Sequence, residues 1–337
     1  MLNFDEVRFL ESQRNAVSCA EQLHSAIGDL LGRGAENLLF AGAGGAGILM
    51  WPAASLLATR SRFPSRVELP TELVTAGSAL LSERSIVVMP SRSGDTPETL
   101  EALRYCRKAG ATVIALTGTA DSPLAAQADV NFTNPVDDDN SSESFYIQSI
   151  FLALSLMSLQ GEIDDYPALL DGARRLPEVM LEAKRAFETR ASEVATELAE
   201  GLFHIVVGAG PTWAEAMYYG MCILEEMQWI LTRPVHAADF FHGPLELVEQ
   251  GVSCVLLKGE DSSRPLVDRV ERFVRDHTDR VTVIDSADVA MPGVSEQLRQ
   301  LMAPAILATL LERVSAHLEV LRDHPLTTRR YYRTVSY

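Results

Sequence analysis

The sequence predicts an α/β fold of two doubly wound lobes, each a parallel sheet flanked by helices. Short apolar strands alternate with helical stretches along the chain, as a parallel sheet covered on both faces requires. A strand, a glycine turn and a helix also occur in that order once in each half, at NLLFAGAGGAG (37–47) and LFHIVVGAG (202–210). No low-complexity segment separates the halves, so the lobes are expected at 1–165 and 166–337.

Each element has a local reason. Apolar residues at helical spacing run from Phe4 to Leu31 and stop at Gly32-Arg33-Gly34, a C-cap signal. The strand at 37–41 enters the glycine turn and a small-residue helix through Leu57. Val67–Leu69 and Ser85–Met89 read as strands, Pro97–Ala109 as a helix and 111–118 as a strand. Helices over 142–160 and 166–199 lead to the second strand–turn unit. A helix Thr212–Ile230 follows it, with later strands at 252–257 and 281–285.

Composition narrows the function. Among 337 residues, 47% are hydrophobic and 22% charged, the balance of a globular chain. The net charge of −17 argues against nucleic acid and anionic membranes, whose binding draws on Lys and Arg. No signal peptide is read in the polar Met1–Glu11, and no apolar run is expected to span a membrane. Cys19, Cys106, Cys222 and Cys254 have neither zinc nor disulfide spacing, so a reducing cytoplasm fits best. No metal or cofactor is implied. Only Lys108, Lys184 and Lys258 supply lysine.

The stretch VVMPSRSGDTPET (87–99) sets Ser91, Ser93 and Thr96 around Gly94, between a strand and a helix start. Free amides, the positive end of the helix dipole and loop hydroxyls suit a phosphate monoester. An ordinary N-cap at Asp95 or Thr96 before Pro97 explains the same residues. No Gly-Lys-Ser/Thr follows, so this is not a P-loop, and GAGGAG lacks dinucleotide spacing.

A second cluster lies at EEMQWILTRPVHAADFFHGP (225–244). The preceding helix is apolar nearly all round and is expected to be buried. A carboxylate buried there has a raised proton affinity, suited to acid–base work. Adjacent helical residues point about 100° apart, so Glu225 and Glu226 are expected on different faces. The plain alternatives are glutamates reaching solvent at a helix end and a histidine, His242, bonding a turn.

SRSGDTPET resembles the phosphate loop of the sugar isomerase (SIS) domain family, usually Ser-x-Ser-Gly-x-Thr. Two such units in one chain resemble the isomerase half of glucosamine-6-phosphate synthase. The resemblance implies that Ser91, Arg92, Ser93 and Thr96 surround a sugar 6-phosphate. It makes Glu226 and His242, sixteen positions apart, the catalytic acid/base pair. The family often has Ser or Thr after the first glycine turn, where this chain has Gly45-Ala46.

The synthase tail carries a Schiff-base lysine, whereas HPLTTRRYYRTVSY (324–337) has none, and no glutaminase domain is expected. That tail, with EMQW (226–229) and FFHGP (240–244), is similar to the Amadori-product deglycases, most to those acting on fructosyl-aspartate 6-phosphate; the fructoselysine 6-phosphate deglycases share the architecture with a less similar tail. The implied substrate is a phosphorylated sugar-amine, touched by Gly44, Gly45, Ser142, Arg329 and Arg330. The family further implies a homodimer whose subunits share the active site. An aldose–ketose phosphosugar isomerase and a non-catalytic sugar-phosphate sensor remain as alternatives.

Overall fold

The structure is a computed structural model that describes residues 1–136 and 141–335. It holds two parallel sheets flanked by helices, as the alternating pattern predicts. The chain divides into two compact units. One comprises Glu6–Glu178 and Gly293–Leu298; the other comprises Met1–Asp5, Val179–Pro292 and Arg299–Tyr337.

The first unit contains β1 (Asn37–Ala41), β2 (Ser65–Glu68), β3 (Ser85–Ser91), β4 (Thr112–Thr117) and β5 (Val130–Thr133), in the order β2-β1-β3-β4-β5. β1 and β3 lie side by side, but the chain leaves them toward opposite edges. Such a switch point opens a crevice at the carboxyl ends of the strands, where doubly wound folds bind ligands. β1, β3 and nearly all of β4 are buried, which explains their continuous apolar runs. The helix Ser141–Leu159 is buried on every side through Met157.

The second unit contains β6 (His204–Gly208), β7 (Thr232–His236), β8 (Ser253–Lys258) and β9 (Val281–Asp285), ordered β7-β6-β8-β9. This repeats the first four places of the other sheet. Glycines serve both turns in the same way. A Cβ on Gly47 would lie 2.2 Å from the Gly42 carbonyl oxygen, and one on Gly208 would lie 2.5 Å from that of Thr212. Only glycine lets the helix approach the strand end this closely.

The N-terminal segment is tied into this unit by charge. Buried Arg313 donates to Glu188 and to the Leu2 carbonyl, while buried Lys184 donates to Glu312 at 2.7 Å. Burial alone would push the Glu188 carboxyl up. Arg313, the Leu2 amide and His317 outweigh that and hold it at about 2.

Several elements differ from the expectations. The stretch 166–199 is broken into Tyr166–Ala173 and Leu176–Glu200. β5, β7 and the helices Arg264–Arg275 and Glu296–Leu321 were not read from the sequence. β7 carries Pro234, which argues against a strand except at a sheet edge, and β7 is an edge. The expectation that no segment is long and apolar enough to span a membrane is corrected. Glu296–Leu321 meets that test by length and composition, and 89% of its most apolar window is buried inside the protein.

Candidate active site

In the first unit the loop after β3 forms a braced cup at the switch point. The Ser91 hydroxyl oxygen accepts from the Gly94 amide at 3.0 Å, which leaves its proton to donate elsewhere. The Arg92 carbonyl accepts from the Gly118 amide at 3.0 Å and from the Thr119 hydroxyl at 3.2 Å, joining the loop to the end of β4. Gly94 has φ +65°, and a Cβ there would lie 2.1 Å from Ser122 Oγ, so the position demands glycine twice over. Gly118 and Ser122 were missed as parts of this site. Their only sequence signal is a second strand–turn–helix, LTGTADSP, directly downstream.

The helix Pro97–Lys108 opens at Thr96, whose side chain makes no capping hydrogen bond. Thr96 is thus placed as the N-cap residue without filling the cap, and the first amides point beyond the helix end. Ser93 donates to Asp95 at 2.5 Å, a carboxylate inside the same loop. Gly44 begins the short helix Gly44–Ile48 with open space where a Cβ would sit, and Gly45 follows it half-buried. Ser142 is nearly buried, and its hydroxyl donates to Glu143 at 3.1 Å.

The second unit has an equivalent crevice after β6 and β8, but its chemistry is opposite. Asp261 accepts from the Ser263 amide at 2.8 Å and lies against Gly210, while Glu260 is paired with Arg299. Carboxylates occupy the place of the Ser-x-Ser-Gly loop.

The second unit also holds Glu226. The expected single helix Thr212–Ile230 is α-helical only to Tyr218, then becomes a π-helix over Tyr219–Glu225. The Glu226 amide bonds the Met221 carbonyl at 3.1 Å, five residues back, and the Gln228 amide bonds Ile223 likewise. Inserted π turns of this kind are frequent at functional sites. Gly220 permits it here, since a Cβ would lie 2.7 Å from Pro234 Cγ of β7. The helix stops at Trp229, which takes φ +54°.

This widened end places both glutamates on one cavity of about 400 Å³, lined also by Trp229, Arg329, Arg330, Tyr331 and Tyr332. The expectation that Glu225 and Glu226 use separate faces is therefore corrected. They do have separate partners. Glu225 accepts from the Thr232 hydroxyl at 2.7 Å, and Glu226 from Arg329 Nε at 3.1 Å. Glu226 is not deeply buried, since 37% of its side chain is exposed. The buried setting that motivated a raised proton affinity is absent.

His242 ends a short 3₁₀ turn, Phe240–His242, before Gly243 at φ +139°. It is exposed and is not part of the Glu226 cavity wall. The acid and the histidine therefore do not meet on that wall. None of the three lysines lines the cavity either. Lys184 and Lys258 are engaged by carboxylates, and Lys108 closes the helix that follows the β3 loop. Cys222 sits where its thiolate is disfavoured. Burial first, then the carboxylates of Glu226, Glu215 and Glu225, push its thiol up to about 12.

Comparison with known proteins agrees with this architecture. Residues 33–158 match the SIS domain family. The chain is 28% identical to a fructosamine deglycase of Bacillus subtilis over 94% of its own length and 97% of that protein's. It is 29% identical to the fructoselysine 6-phosphate deglycase of Escherichia coli, over 75% and 72% of the two chains. Among solved structures, a candidate phosphosugar isomerase from Bacillus subtilis superposes with a TM-score of 0.89 at 27% identity, covering 96% of this chain and 99% of that one. The family match lies within the first unit, and the similarity to whole relatives and solved structures extends over both units. The proteins it is similar to are named as deglycases and a phosphosugar isomerase.

Proposed function

We propose that this protein is a phosphosugar deglycase that splits a fructosyl-amino acid 6-phosphate into glucose 6-phosphate and a free amino acid. The observation that carries this reading is the cavity at the end of the π turn. It joins a carboxylate, Glu226, to two arginines and three aromatic rings, with no lysine in its wall. A base is present, and so are groups suited to an amino acid. A Schiff-base nucleophile is not needed, because the substrate already carries an amine on C1. The names of the two deglycase relatives support the same class.

The chemistry is proton transfer between carbons followed by hydrolysis of an imine. In the open-chain form, Glu226 removes a proton from C1, and the electron pair forms the C1=C2 bond of an enaminol as the ketone oxygen gains a proton. Return of a proton to C2 leaves a C1=N imine, and water adds to C1 to expel the amine. Positioned carboxylates move protons between adjacent carbons in this way, typically contributing ~10²–10⁴-fold. The cup of Ser91, Ser93, Thr96 and the helix amides receives the 6-phosphate, and Arg92 braces it. His242 assists ring opening, contributed by a second copy of the chain in a homodimer.

The test is release of glucose 6-phosphate and free amino acid from fructosyl-amino acid 6-phosphates, followed by a coupled dehydrogenase assay. Interconversion of unmodified aldose and ketose phosphates without amine release would instead establish an isomerase, the reading favoured by the isomerase-like solved structures. Binding without turnover would leave a sensor.

A further inference from the structure

Two neighbouring arginines line the Glu226 cavity, and their surroundings differ sharply. Arg329 is mostly buried, at 16% side-chain exposure, and its guanidinium is held on two sides. Nε donates to Glu226 at 3.1 Å, while Nη1 donates to the carbonyls of Leu326 at 2.6 Å and Thr328 at 3.0 Å. The carbonyls fix the fork within the tail, and the fork in turn fixes the carboxylate. Arg330 is exposed and sits over the Trp229 indole, its Cζ 4.0 Å from the ring centroid. An aromatic platform orients a guanidinium while leaving its N–H edge open to a planar anion.

We propose that Arg329 is a positioning residue that holds and orients the Glu226 carboxylate, and that Arg330 on Trp229 meets the carboxylate of the amine half of the substrate. The inference rests on the deglycase reading above. It divides two adjacent residues that sequence alone treats as equivalent. Arg329 cannot turn to a substrate carboxylate without releasing Glu226 and two tail carbonyls at once. Among the described residues, the Arg330 guanidinium rests on the Trp229 ring and gives up no ion pair when it moves to an anion. Trp229 presents its ring to Arg330 because the chain takes a left-handed turn there, at φ +54°.

Two substrates separate the roles: fructosyl-aspartate 6-phosphate, and the same sugar phosphate carrying propylamine, which has no carboxylate. Arg329→Gln should lower kcat on both by the same factor, about ten- to hundredfold, because a base displaced by an ångström fails whatever the amine is. KM should change little. Arg329→Lys, which keeps a cation beside Glu226, should recover part of that loss. Arg330→Gln should instead raise KM for the aspartate substrate and shrink the parent's preference for it over the propylamine compound. If Arg329→Gln loses activity only on the carboxylate-bearing substrate, or if Arg330→Gln leaves the preference intact, the division is wrong. A parent protein that releases amine from neither compound overturns the deglycase reading, and this inference with it.

Discussion

The Gln228 side chain, wholly buried, fastens the tail to the end of the π turn at two points. Its Nε2 donates to the His324 carbonyl at 2.7 Å, and its Oε1 accepts from Arg322 Nη1 at 3.2 Å. The Trp229 ring meets His324 edge-on at 4.5 Å between centroids. Residues nearly a hundred positions apart are thereby held together, and Arg329 reaches Glu226 from that anchor.

Gln228→Leu keeps the volume but removes both hydrogen bonds. Stranding a buried carbonyl costs ~1–3 kcal/mol, enough to loosen a segment held by few contacts. Amide exchange over 322–335 should rise while the strands β6 and β8 stay protected. Unchanged protection of the tail would mean that Gln228 is not its anchor.

How much of this was legible depends on which interactions are local. β1, β3, β4, β6 and β8 were legible because strands buried on both faces must be apolar throughout. The loop after β3 was legible as a strand–turn–helix unit because its hydroxyls, glycine and helix start are consecutive. β7 was not, since Pro234 is tolerable only at an edge, and edge position is a tertiary fact. The π turn was hidden for a similar reason. Tyr219–Glu225 has ordinary helical composition, and the close approach of Gly220 to Pro234 within it is a tertiary contact. Neither Gln228 nor the pairing of Arg329 with Glu226 has any signature at short range.

The cup gives a graded prediction. Ser91→Ala removes a hydroxyl that also shapes the turn, and should weaken sugar-phosphate binding by about 1–3 kcal/mol. Gly94→Ala should be worse, because φ +65° disfavours any side chain and the added carbon collides with Ser122. Calorimetry with glucose 6-phosphate measures both. Equal binding by Gly94→Ala and the parent would mean that the loop does not form the site.

His204 predicts an acid sensitivity unrelated to catalysis. It is fully buried, and burial first, with Arg280 adding, lowers its pKa to about 4 despite nearby backbone acceptors at Gly201 and Leu198. The unfolded value is ~6.5, so between those values the unfolded chain takes up a proton that the folded one refuses. Stability is therefore intact above pH ~6.5 and falls as the pH drops toward 4. From pH 7.5 to 5.5 the parent should lose roughly 1 kcal/mol more than His204→Phe in urea unfolding. Parallel losses in the two proteins would remove His204 as the cause.

The exposure of His242, away from the Glu226 cavity wall, makes a shared active site testable. Glu226→Gln and His242→Asn proteins should each be nearly inactive. Mixed and allowed to exchange subunits, they form some pairs in which one intact Glu226 faces one intact His242. Partial recovery is expected, up to about a quarter of the parent's activity if exchange is random and sites are independent. Exchange demonstrated by mass-tagged subunits, without any recovery, would assign both residues to one chain.

The two glutamates of the cavity provide the sharpest separation, because they share a wall and accept from different groups. Glu226 faces Arg329, whereas Glu225 is engaged by the Thr232 hydroxyl at the start of β7. Glu226→Gln preserves shape and the capacity to accept from Arg329, but its amide cannot shuttle a proton between carbons. Turnover should fall ~10²–10⁴-fold with sugar-phosphate affinity nearly unchanged, the pattern of an interaction made only in the transition state. Glu225→Gln keeps an acceptor for Thr232 and should stay within about threefold of the parent, since exposed single substitutions of this kind rarely cost more than ~0.5 kcal/mol. In heavy water the parent should place deuterium at C2 of glucose 6-phosphate, and Glu226→Gln should lose that incorporation in step with turnover. An inactive Glu225→Gln beside a normal Glu226→Gln would move the base to the other acid and overturn the mechanism.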